Sequence, residues 1–209
     1  MYQFHISRSL LIVMILAGSL LLSCDSGAGS DPDLAGTNDP VENPPVTAEI
    51  SQAILFEISH VNYAWGYVCR GLYVDSQGYV YTYDHSDQYW NPGNNGFFME
   101  QQLLEKYSHN SVLVDSVTLE TLGEMYQQIK PAAEGALSER VNRCNDAGGQ
   151  LYSAYVVDSR ASKYYPVLVY EAGDWAQKNL SDAAAQLFAW LQTLNDSSYA
   201  NPACEYPED

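Results

Sequence analysis

The 209-residue chain carries 26 acidic side chains against nine basic ones, a net charge of −17. That balance argues against nucleic acid and against docking on anionic lipid, because both need a basic patch. It permits a cationic partner without demanding one.

The first eight residues, MYQFHISR, hold one fixed positive side chain, Arg8, and from Ser9 to Leu22 there is no charge. The apolar run LLIVMILAGSLLL is about 13–14 residues long, short of the ~20 that a spanning helix needs but suited to the hydrophobic region of a signal peptide. A buried core helix is the alternative, yet the stretch that follows offers it nothing to pack on.

The tetrapeptide Leu21-Leu22-Ser23-Cys24 resembles the lipobox of bacterial lipoproteins. The resemblance implies a diacylglyceryl group on the Cys24 thiol and cleavage just before it. Residues 1–23 are then the signal peptide, and the mature chain is held by lipid on the exported, periplasmic or extracellular side of a cell envelope. Each buried methylene contributes ~0.8 kcal/mol, so two or three acyl chains hold where one lets go. Leu22 is bulky for its place, a mild departure from the pattern. An ordinary cleaved signal peptide would instead leave Cys24 as a thiol. Asp25 resembles the enteric signal for retention in the inner membrane.

Residues 24–48 comprise Cys24 and a stretch rich in Gly, Pro, Asp and Asn, without Lys or Arg. No periodic apolar face is present, so a flexible acidic tether is expected, with a root-mean-square span of about 25–30 Å. Asp31, Asp33 and Asp39 fit no calcium-binding frame. Residues 49–209 have the length of one domain with a real core.

Within that domain AILFEISH, residues 53–60, reads as a strand. Val68–Asp75 and Tyr79–Asp84 follow, joined by Ser76-Gln77-Gly78, the strongest hairpin in the chain. FFMEQQLLEKY, 97–107, reads as a helix and Val112–Val117 as a short strand. A second helix is expected from Thr118 to Lys130, with Leu119, Leu122, Met125, Tyr126 and Ile129 on one face and Pro131 as its stop. Leu151–Asp158 and Tyr165–Glu171 form a second hairpin. A last helix follows Ser181, its N-cap, and turns Ala184, Leu187, Phe188, Leu191 and Leu194 inward. Hairpins alternating with helices predict a two-layer α+β domain, an antiparallel sheet with helices packed on one face.

The residues that carry chemistry are few. Besides Cys24 the mature region holds Cys69, Cys144 and Cys204. In an exported protein Cys144 and Cys204, both in loops, are the favoured disulfide over Cys69–Cys144, and Cys69 becomes a small buried strand residue. GYVCRG lacks the helix that a nucleophile elbow needs. His60, His85 and His109 form no HxxxH or HxH pair and no CxxC accompanies them, so neither a metal nor another cofactor is expected. Asp84, His85 and Asp87 in YDHSD are the least implausible catalytic cluster, but a polar loop is the plainer reading.

The aromatic content points further. Many of the 17 tyrosines fall within VNYAWGYVCRGLYVDSQGYVYTYDHSDQYW. Tyr79, Tyr81 and Tyr83 share one strand face, opposite Val80 and Thr82. If Leu72, Val74 and Val80 meet the helices, these tyrosines cover an open face, flanked by Trp65, Tyr89 and Trp90. Such a platform suits a protein, peptide or glycan ligand. Tyrosine is also a good strand residue that tolerates half-exposure. The sequence therefore points to an anchored, non-enzymatic binding module. An envelope hydrolase and an inhibitor or immunity-type lipoprotein that captures a protein are the alternatives.

Overall fold

The structure is a computed structural model and describes residues 50–90 and 95–194. The expected leader, Cys24, the expected acidic tether and Cys204 lie outside the described residues. The first half of the domain runs β1 (Ile54–Asn62), β2 (Val68–Asp75), β3 (Tyr79–Asp84), β4 (Phe98–Met99), α1 (Glu100–Ser108), β5 (Val112–Ser116) and α2 (Leu119–Ala133). The second half runs β6 (Val141–Asn142), β7 (Gly149–Asp158), β8 (Lys163–Gly173), β9 (Trp175–Lys178) and α3 (Asp182–Leu194).

All strands join one antiparallel sheet in the order β5-β3-β2-β1-β7-β8-β9-β6, with β4 added beside β8. The fold is α+β. Local chemistry sets the hairpins: Asp75 Oδ1 accepts the Gln77 and Tyr79 amides, both at 2.9 Å, and Gly78 takes φ +82°. Asp158, in Val157-Asp158-Ser159, which repeats Val74-Asp75-Ser76, accepts the Arg160 and Ala161 amides. Shared turn chemistry accounts for that repeat.

The larger core lies between the sheet and the helices α2 and α3. Leu72, Val74 and Val80 point into it, as the strand alternation requires, and meet Leu122, Ile129, Leu187 and Leu191. Burying each such leucine or isoleucine contributes about 1.5–3 kcal/mol. Thr118 caps α2 through the Thr121 amide, and Ser181 caps α3 through the Ala184 amide at 3.1 Å. Phe188 stacks on Tyr170 with ring centroids 4.2 Å apart.

Three details differ from expectation, one being that α1 packs on the opposite face of the sheet from α2 and α3 and not beside them. Pro131 does not stop α2, which runs on to Ala133 because fully buried Ala132 completes the packing and Asn179 Nδ2 donates to the Ala132 carbonyl. The stretch 97–107 is split, with Phe98 and Met99 paired to β8 before α1 begins. α2 and α3 form the helical layer, while α1 lies against the other face of the sheet. There Leu103 and Tyr107 join Ile54, Tyr73, Tyr83, Tyr155 and Tyr164 in a second core. No described helix is long and apolar enough to cross a membrane.

Candidate functional site

The second core contains charge. Glu57, in the middle of β1, points to the α1 side and accepts hydrogen bonds from Lys106 Nζ, from Tyr83 Oη and, at 2.5 Å, from Tyr155 Oη. Tyr107 Oη lies 3.0 Å from Tyr155 Oη. Burial pushes the Glu57 carboxyl up, but the Lys106 ammonium and the hydrogen bonds from Lys106, Tyr155 and Tyr83 outweigh it and hold the group below the ordinary range. The three phenols are raised well above theirs by burial and then by the Glu57 charge, so they remain donors. Every partner is inside the protein, and the cluster serves to fasten α1 to the sheet.

This arrangement places the tyrosines of β3 along a gradient instead of on one platform. Tyr83 is 2% exposed and spent on Glu57, so it is not available to a ligand. Tyr81 stacks on Tyr73 at 5.1 Å, and Tyr73 stacks in turn on Tyr107 of α1 at 4.3 Å. Only Tyr79, at the far end, is exposed.

Asp84, His85 and Asp87 are brought together, with geometry that holds a loop. Asp84 Oδ1 accepts the Ser86 amide at 2.7 Å. His85 is buried, with Nε2 2.7 Å from the Lys106 carbonyl and Nδ1 3.3 Å from that of Gln88. Both ring nitrogens lie against backbone carbonyl oxygens, which fixes the ring between the loop and α1. Asp87 bonds His109 Nε2 at 2.7 Å, and the His109 ring stacks on His85 at 4.5 Å. That hydrogen bond is the main cause of the lowered Asp87 pKa. The pairing of Asp87 with His109 spans 22 positions and has no local signal in the sequence. Among the described residues no three His, Cys, Asp or Glu side chains converge as metal ligands.

The three most exposed aromatics among the described residues, Trp65, Tyr63 and Tyr89, lie where the β1–β2 connection meets the loop after β3. Asn62 Oδ1 accepts the Ala64 amide at 2.8 Å and Gly66 takes φ +124°, which turns the chain and carries Trp65 outward. Tyr63, Tyr67 and Tyr89 form a ring cluster, with Tyr67 4.9 Å from Tyr89 and 5.7 Å from Tyr63. Tyr67 Oη accepts the Trp90 amide at 3.2 Å, tying the two loops together. Trp90 forms the inner wall: it lies over Lys106 Nζ at 4.7 Å and against Phe98. Trp65, Tyr63 and Tyr89 are 84%, 65% and 61% exposed. Burial raises the Tyr67 phenol, helped by its hydrogen bond with Cys69, and burial with the neighbouring Tyr89 raises that of Tyr63. Both hydroxyls keep their protons at neutral pH. Of the described cysteines, Cys69 is free and buried beneath this cluster, and Cys144 is disulfide-bonded. Cys204, its expected partner, lies outside the described residues.

Of the six binding candidates, Tyr89 and Trp90 therefore meet Tyr67, Trp65 stands exposed on the loop between Tyr63 and Tyr67, Tyr79 and Tyr81 stand on the sheet face, and Tyr83 is internal. Tyr63 and Tyr67 complete the patch. Their place in VNYAWGYV, on either side of Trp65, was the signal that could have found them. Searches against family models, curated proteins and solved structures found no match to this chain.

Proposed function

We propose that this protein is a lipid-anchored envelope binding module that captures a neutral glycan on the patch formed by Tyr63, Trp65, Tyr67 and Tyr89. The observation that carries the reading is the clustering of the exposed Tyr63 and Tyr89 rings around that of Tyr67, with exposed Trp65 on the same short connection and two loops braced together. Contiguous apolar side chains gathered at a surface are a mark of ligand and partner sites. Aromatic faces receive the apolar faces of sugar rings, and phenol hydroxyls supply hydrogen bonds. The net charge of −17 favours an uncharged ligand over an acidic one.

The test is a fluorescence titration of the full chain with neutral oligosaccharides of four to six units. Binding should quench Trp65, and Trp65→Ala should weaken affinity at least about tenfold, equivalent to ~1.4 kcal/mol. A panel that leaves the emission unchanged, or a Trp65→Ala variant that binds as well as the parent, would sink the reading.

The anchor has its own test. Cys24→Ala should abolish incorporation of labelled fatty acid in a bacterial host and leave the precursor uncut or the chain unlipidated. Label still attached to the variant would overturn the assignment.

A further inference from the structure

The outermost strand, β5, is unusual in being apolar and open together. Val112, Leu113 and Val114 are 58%, 53% and 54% exposed, and every residue of the strand is exposed. Leu113 lies across from Tyr81 and Val112 across from Thr82, so β5 shows apolar side chains on both faces of the sheet. Edge strands are ordinarily guarded by Lys, Pro or a covering element, because their free amides and carbonyls template further pairing. β5 has neither Lys nor Pro. Its guards are a register shift beside Val114 and the Asp115 carboxylate, which accepts the Ser116 amide at 2.7 Å. Val112–Asp115 remains available.

Charge selects the occupant. From Gly71 to Ile129 the chain holds eight acidic residues, among them Asp75, Asp115, Glu120 and Glu124, against one basic residue, Lys106. Lys106 is consumed inside the protein by Glu57. On β5, β3 and β2 the one basic side chain is Arg70, which sits across from Asp84. A second copy of the chain would bring the same acidic surface to the edge. Residues 25–49 and 195–209 contain no Lys or Arg either, so the chain's own flanking segments fit no better.

We propose that β5 receives an extended basic segment of a protein partner as an added strand. Backbone hydrogen bonds supply the pairing, and the partner's apolar side chains lie beside Leu113 and Val112. Its lysines or arginines meet the acidic flanks. This site is separate from the aromatic patch and does not depend on it.

The probe is a fluorescein-labelled octapeptide that alternates lysine with valine, titrated by anisotropy into the full chain. Two controls accompany it: the same peptide with alternate amides N-methylated, and one with glutamate in place of lysine. The parent peptide should bind and slow amide exchange at Val112–Asp115. N-methylation should weaken binding at least about tenfold, and the glutamate peptide should not bind. Raising salt from 50 to 500 mM should weaken binding at least about threefold. Leu113→Lys, at an exposed position that leaves the core intact, should weaken it at least about fivefold. Absence of binding, equal affinity for the N-methylated peptide, or protection confined to other strands overturns the proposal. A dimer of the chain that Leu113→Lys dissociates would also overturn it, in favour of a second copy as occupant.

Discussion

Lys106→Met is expected to destabilise the domain by about 3–5 kcal/mol, because it strands a buried carboxylate whose cation has been removed. Glu57 would keep the Tyr83 and Tyr155 hydroxyls, but hydrogen bonds alone do not replace the charge that offsets its desolvation. Urea unfolding of the full chain measures the loss. Replacing both partners, Glu57→Leu with Lys106→Met, should recover only part of it, since the apolar pair removes both charges but leaves the buried Tyr83 and Tyr155 hydroxyls without their acceptor. A single variant costing less than about 1 kcal/mol would contradict the burial of the pair. The same cluster fixes a pH dependence. The Glu57 pKa is lowered on folding, so its contribution is fully present above the ordinary glutamate range, about 4.3, and is lost as pH falls through the folded value. Stability should therefore decline on acidification below that range, and Glu57→Gln should remove this part of the decline.

Leu187→Ala should cost about 2–5 kcal/mol, the range for a leucine truncated in a core that closes only partly around the cavity. Leu187 is fully buried between α3 and the sheet, with Leu191 and Leu122 in the same cluster. It shares no cluster with Lys106, which lies across the sheet. The two losses should add to within about 0.5 kcal/mol in the double variant. A large deviation in the measured sum would mean that the two faces of the sheet communicate through the strands.

What was legible in the sequence follows from how far each signal reaches along the chain. The alternation of Leu72, Val74 and Val80, and the helical spacing of Leu122, Ile129, Leu187 and Leu191, are local, and both placed one side of the sheet correctly. The other side was hidden because its central contact is a salt bridge between residues 49 positions apart. Lys106 in QLLEKYS reads as a solvated side chain, and nothing near Glu57 in LFEIS announces a partner. Without that pair the tyrosine face of β3 looks open, whereas α1 occupies its inner half. The strands β4, β6 and β9 were missed for a simpler reason, since two to four residues cannot display a period. At the aromatic patch, Trp65, Tyr89 and Trp90 are legible only as neighbours in sequence of the tyrosine strand. The bracing of their loops, through Tyr67 and the Trp90 amide, is a tertiary contact over 23 positions.

The position of β1 has a consequence for how the chain folds. On one side β1 pairs with its neighbour β2, but on the other it pairs with β7, where Glu57 meets Ser153 and Ile58 meets Tyr152. β1, β2 and β3 are joined by short connections, as are β7, β8 and β9, and the halves before and after α2 meet in a seam along β1 with β7 and, more briefly, β4 with β8. Closing that seam requires most of the domain to be present, because the contacts that reward it are remote in sequence. An emerging chain therefore carries β1 with one edge bare until the second half arrives. In that interval Leu55, Phe56 and Ile58 are exposed to any other strand that comes first.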